Sequence, residues 1–106
     1  EKKLEAKNCL ESVLTIMNTG SNLERAYAAR AVGNISKDDK VALDQLIAVL
    51  KSDKEEKVRK EAVRSIGEFA IAKDQVKELE AVMLTETNEQ VKAKLKIALF
   101  KLNQKE

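Results

Sequence analysis

The sequence predicts an all-α protein, a short α-solenoid of about three helical hairpins with six antiparallel helices, and three observations predict it. The chain repeats itself at a shift of about 33 residues. Leu10, Leu43 and Val76 fall in one column, and Val13, Leu46 and Leu79 in the next. Ile16, Val49 and Val82 follow, then Met17, Leu50 and Met83. A second set runs beside it: Arg25, Arg59 and Lys92; Ala28, Ala62 and Leu95; Val32, Ile66 and Leu99. Self-similarity at this period marks stacked supersecondary units, none of which can bury its apolar face alone. Helix formers dominate the composition, proline is absent and glycine occurs only at Gly20, Gly33 and Gly67, which favours helix throughout. The gaps between helical stretches are only a few residues long, which makes successive helices antiparallel neighbours.

The first helix is expected from Lys2 to Asn18, with Leu4, Leu10, Val13, Leu14 and Met17 at helical spacing and a stop at Gly20. Ser21 stands three residues before Glu24, the spacing of a capping box, and opens a second helix to about Ile35. Its apolar face is Leu23, Ala28, Val32 and Ile35. Ser36 is the expected N-cap of the third helix, with Asp38 and Asp39 in its first turn and Leu43, Leu46, Ile47 and Leu50 on its apolar face. Ser52 with Glu55, and Asp53 with Glu56, repeat the capping-box spacing before a fourth helix lined by Val58, Ala62, Ile66 and Phe69. A fifth, from near Asp74 to Leu84, carries Val76, Leu79, Val82 and Met83; Thr87 and Gln90 cap a sixth that runs nearly to the end. Gly67 reads as a glycine inside a helix, offset by close packing, and Gly33 as a C-terminal cap.

Composition bounds the function. The net charge of +2 gives no global polybasic or acidic signal, although from Thr87 to the end five lysines stand against two acids. With one cysteine no internal disulfide can form, and Cys9 is expected at a core edge beside the column residues Ala42 and Gln75. No stretch reaches the ~18 uninterrupted apolar residues of a membrane span, so a cytoplasmic protein without a membrane partner is expected. The chain begins at Glu1 rather than Met; residues 1–106 read as a single repeat domain, whole or part of a longer solenoid. Histidine is absent, which removes the commonest general base and metal ligand. Cys9 has no CxxC partner and the glycines are isolated, so no catalytic residue, metal site or cofactor is expected.

The stretch Val58-Arg59-Lys60-Glu61-Ala62-Val63-Arg64-Ser65-Ile66-Gly67 and its counterpart Arg25 to Gly33 resemble HEAT-like repeats, in particular the short kind found in phycobilisome lyases. Leu43 to Leu50 fits that pattern's other helix, and Val91-Lys92 through Phe100 is a degraded copy with Lys92 for Arg and Phe100 for glycine. Glu24 stands where the pattern has valine, and the prolines common in its turns are missing. The resemblance implies right-handed stacking, with the Val-Arg helices convex and the others concave. It also implies a scaffolding or binding role, and a ladder in which Arg25, Arg59 and Lys92 tie repeats through acids such as Asp38, Asp39 and Asp74.

The expected partner surface is the exposed side of the first, third and fifth helices: Glu11, Leu14, Asn18, Lys40, Asp44, Ile47, Lys51, Lys73, Lys77 and Glu80. These columns vary far more than the core columns, and their mixed charges with small and apolar centres suit a protein or peptide. Near-neutral charge and scarce aromatics argue against a nucleic-acid partner, which stays open as an alternative beside an accessory subunit of a lyase-like enzyme. In the last copy Leu95 and Phe100 replace small residues. Either the terminal helix fills the space of a further repeat, or Ile97, Phe100 and Leu102 are partly exposed and favour self-association.

Overall fold

In the computed structural model the backbone is described for residues 2–104 and the side chains for residues 9–104 except 70 and 71. Leu4, Lys105 and Glu106, which enter the reading of the sequence, lie outside the described side chains. Six α-helices follow in order: α1 (Lys2–Thr19), α2 (Asn22–Ile35), α3 (Lys40–Ser52), α4 (Glu56–Ile66), α5 (Val76–Thr85) and α6 (Glu89–Gln104). A 3₁₀ segment, Ala70–Gln75, links α4 to α5. The helices form an all-α stack of three hairpins, α1/α2, α3/α4 and α5/α6, measuring 41 × 35 × 15 Å. One continuous core runs through it, from Leu10, Leu14 and Met17 through Leu43, Leu46 and Val58 to Leu79, Leu95 and Leu102.

Two layers result. In one, α4 lies directly against α2 on one side and α6 on the other; in the other, α1 and α3 touch slightly and α3 and α5 less still. The difference follows from side-chain size, since small residues at a crossing let helix axes approach. On the α2–α4 contact Ser65 is buried against α2, its Oγ donating to the Ala29 carbonyl at 2.5 Å and accepting from the Gly33 N–H at 3.3 Å. On the α4–α6 contact Gly67 faces Ala98. In the other layer Leu43, Leu46, Val49 and Leu50 fill the space and hold the axes apart. A two-layer stack bends toward its shorter layer. The inner side therefore belongs to the Val-Arg helices α2, α4 and α6, the reverse of the expected assignment.

The glycine roles are also exchanged. Gly33 is interior to α2 and packed, whereas Gly67 ends α4 in an ordinary right-handed conformation with φ −61°. Beyond it, i to i+3 bonds from Glu68 N–H to Ser65 and from Phe69 N–H to Ile66 tighten the chain. They carry Phe69 and Ala72 into the core from outside any α-helix.

Of the expected caps, only the box at Ser21 and Glu24 forms as read, with bonds of 2.9 and 3.2 Å. Ser36 closes α2 instead of opening α3, donating its N–H to Val32, and Asp39 caps α3 by accepting from the Ala42 N–H at 2.9 Å. Ser52 Oγ turns back to the Ala48 carbonyl, and α4 starts after Glu55 with no side-chain cap. At α6 the capping acceptor is Asn88, which takes the N–H groups of Gln90 and Val91, rather than Thr87. Cys9 is exposed rather than at a core edge, because no described helix covers the side of α1 that corresponds to buried Ala42 in α3. At the other end Leu95 and Leu102 are fully buried while Ile97 and Phe100 are 50% and 66% exposed. The two alternatives for α6 are each half met.

Candidate functional site

The turns joining α1 to α2, α3 to α4 and α5 to α6 line one edge of the stack. Each brings the same chain position, Gly20, Asp53 or Glu86, to the edge just before a Val-Arg helix. Arg25 reaches across two of these turns. Its Nη1 donates to the Gly20 carbonyl of its own turn at 3.0 Å, while Nε and Nη2 grip the Asp53 carboxylate of the next at 2.9 and 3.1 Å. Arg59 repeats the clasp one hairpin on, from Nη1 to the Asp53 carbonyl at 2.9 Å and from Nε and Nη2 to Glu86 at 3.0 and 2.9 Å. Lys92 makes no such bridge; its ammonium lies 3.5 Å from Glu89 on its own helix.

The carboxylates gripped are therefore Asp53 and Glu86, not Asp38, Asp39 or Asp74. Those three lie in the connections that follow the Val-Arg helices, at the opposite end of each hairpin from the arginines. A signal for the true partners was present: Gly20, Asp53 and Glu86 share one column of the 33-residue repeat.

Electrostatics follows geometry. Burial pushes the Asp53 carboxyl up, but the Arg25 hydrogen bonds, the Glu55 N–H and the Arg25 and Arg59 charges outweigh it and hold it below the ordinary carboxylate range. Glu86 behaves alike: burial raises it, while Arg59, the Asn88 and Thr87 N–H groups and the Arg59 charge bring it below the ordinary value. Both arginines are raised, chiefly by these same carboxylate hydrogen bonds. Paired and part-buried, these charges serve to hold register between hairpins.

Because α1, α3 and α5 splay, the edge opens into two clefts. One, of about 670 Å³, lies between α1 and α3 and is walled by Met17, Asn18, Gly20, Arg25, Val49, Ser52 and Asp53. The other, of about 520 Å³, lies between α3 and α5 and is walled by Leu50, Lys51, Arg59, Glu78, Ala81, Val82 and Glu86. Each has an arginine–carboxylate clasp on one wall; the α3/α5 cleft adds apolar Leu50, Ala81 and Val82, while the α1/α3 cleft is mostly polar, with Met17 and Val49 as its apolar members.

The ten expected surface residues divide. Asn18 stands at the first cleft, bonded to Gln45 across the gap at 2.9 Å, and Lys51 at the second, paired with Glu78. Lys40 and Asp44 pair with each other at 2.6 Å. Glu11, Lys77 and Glu80 are exposed on the same helices and Lys73 on the 3₁₀ segment before α5, all outside the walls of both clefts. Leu14 and Ile47 are buried and belong to the core, a helix-phase error of one position.

A family model described as HEAT repeats matches residues 10–99, and so covers both clefts and both arginine clasps. Comparison with curated proteins and with solved structures returned no match. No described helix is long and apolar enough to cross a membrane.

Proposed function

This chain belongs to the HEAT-repeat family, and from that premise we propose that it is a non-catalytic protein-interaction module holding a partner segment across the clefts of α1, α3 and α5. Repeats of this kind generally act as protein-interaction scaffolds. The observation that carries the reading is the repetition of the cleft. Two openings stand one hairpin apart along a single edge, each walled in part by an equivalent arginine–carboxylate clasp.

An extended polypeptide laid along the edge would meet the two clefts in turn. A polypeptide fits such a periodic, open edge better than a compact small molecule, which sites usually enclose.

Panning the folded protein against a library of random peptides, followed by calorimetric titration of the selected peptides, tests this. Ala81→Arg, filling the α3/α5 cleft, and Ser52→Arg, at the α1/α3 cleft, are each expected to weaken selected binders by about tenfold, or ~1.4 kcal/mol. Selected peptides indifferent to both substitutions would refute the reading. A second reading, self-association through α6, is favoured by the exposure of Ile97 and Phe100; contiguous exposed apolar side chains of this kind mark contact surfaces.

A further inference from the structure

The face opposite the clefts, formed by the outward sides of α2, α4 and α6, carries a different chemistry. Arg30, Arg64 and Lys94 stand there on three successive helices. Among the described residues, none of their side chains makes an ion pair or a hydrogen bond. The other two arginines are engaged, Arg25 with Asp53 and Arg59 with Glu86, whereas the lysines divide between paired ones such as Lys40, Lys51 and Lys101 and exposed ones such as Lys37 and Lys54. Two shallow hollows meet at Arg64. The first, of about 230 Å³, has Arg30 and Arg64 on its rim over Gly33 and Ser65. The second, of about 270 Å³, has Arg64, Lys94 and Ile97 around Gly67 and Ala98. The same small residues that bring the helices together thus leave hollows between rows of unpaired cations. Apolar groups are interleaved with the charge: Tyr27, one turn before Arg30, is 61% exposed, and Ile97, one turn after Lys94, is 50% exposed.

We propose that this inner face docks an acidic polypeptide segment in which carboxylates alternate with apolar side chains. Charge complementarity selects the class. An unpaired guanidinium gains charge-assisted, bidentate bonds from a carboxylate without first giving up a partner. The spacing of the cations at about one helix width matches carboxylates separated by several residues. Glu61 on α4 and Glu68, just beyond its end on the rim of the first hollow and paired with Lys101, would repel an unbroken line of phosphates. A segment with spaced carboxylates passes between them. Exposed aromatics are few among the described residues, Tyr27 on α2 and Phe100 on α6, and with α4 between them they give no platform for successive stacked bases. The site lies on the opposite face from the clefts and stands independently of them.

Fluorescence anisotropy with three labelled probes tests the proposal: a short peptide alternating Glu with Leu, the same peptide with Gln for every Glu, and oligothymidine. The Glu peptide is expected to bind, to weaken as salt rises from about 50 to about 300 mM, and to exceed the Gln peptide by at least about tenfold. The double variant R30E/R64E should lose about tenfold or more, with R30Q/R64Q losing less, while K37E/K54E, an equal charge change at exposed turn lysines, stays within about twofold. Circular dichroism verifies that each variant folds; neither arginine leaves a partner stranded when replaced. Failure of the Glu peptide to bind at low salt, equal binding of the Gln peptide, equal loss in K37E/K54E, or tighter binding of oligothymidine would each overturn it. Peptides selected at the clefts should be insensitive to R30E/R64E, which separates this result from the fate of the cleft reading.

Discussion

Gly33 and Gly67 occupy one column of the repeat, yet replacing each by alanine should change stability in opposite directions. A Cβ on Gly33 would lie 2.7 Å from Ser65 Oγ and 2.9 Å from both its Cα and Cβ. The obstacle includes backbone, so α2 and α4 must separate by several tenths of an ångström along their tightest contact. Overpacking of this kind costs ~1–3 kcal/mol, and the Gly33 N–H to Ser65 bond is strained as well. Against that stands the helix-propensity gain of ~1 kcal/mol for Gly→Ala in a helix interior. With ~0.5–1 kcal/mol for the weakened hydrogen bond, the net expectation is a loss of about 0.5–3 kcal/mol, a fall in melting temperature of several degrees at this chain length. At Gly67 the added Cβ would meet Ala98 Cβ at 3.3 Å and Cα at 3.4 Å, a contact that slight settling relieves, and the backbone is already right-handed. Gly67→Ala should therefore lie within about 0.5 kcal/mol of wild type or stabilise by up to ~1 kcal/mol through the unfolded chain. Urea and thermal unfolding of both variants give the answer. If Gly33→Ala were neutral or stabilising, or if the two glycines responded alike, close backbone approach would not be what sets the spacing of the inner layer.

Three further outcomes are expected. Glu86→Gln leaves the part-buried Arg59 without its counter-charge and should cost about 2 kcal/mol in urea unfolding, more than Asp44→Asn, which breaks a pair exposed on both sides. Asp53 and Glu86 have folded values held below their unfolded ones, so between the two the unfolded chain binds more protons. Their stabilisation is complete above the unfolded carboxylate value near about 4 and is lost as pH falls through the folded values; D53N/E86Q should flatten that acid limb in a pH series of melting temperatures. In sedimentation velocity, any concentration-dependent association of the wild type should diminish in Phe100→Ser, and persistence of the same association would place the contact elsewhere.

Legibility in the sequence followed the kind of force at work. Helices, their order and the core columns rest on periodic burial of Leu, Val and Ala, and a 33-residue register shows that directly. What depends on a hydrogen bond of one particular geometry was less visible. Ser36, Ser52 and Thr87 all have side chains able to cap, but Asp39 and Asn88 hold the acceptor where the exposed N–H groups point. Phe69 has the spacing of a helical residue and is buried as one would be, yet it sits beyond the end of α4 on tightened turns. The arginine column was visible; its carboxylates share a column too, but pairing the two requires knowing that positions 27 or 28 residues apart meet across repeats, which no local period shows. The clefts could not be read at all. They arise where branched residues hold one layer open, a property of two helices together and of neither alone.

That division between layers also explains the variability of the outer columns. Spacing is set in the inner layer by Gly33, Ser65, Gly67 and Ala98, and register along the edge by Arg25 and Arg59. The exposed side chains at the cleft mouths, apart from the arginine clasps, take no part in the close packing of that layer. Asn18 gives way to Lys51 at the next repeat and to Leu84 at the third, where the side chain is 88% exposed. Surface positions free of packing and of buried charge tolerate substitution within about 0.5 kcal/mol, so their identities are open to selection by a partner. In this stack the arginine clasps both fix the register and wall the clefts, while exposed cleft residues such as Ala81 do neither packing nor pairing. A substitution such as Ala81→Arg can therefore test recognition at the edge while the spacing and register that form the cleft stay in place.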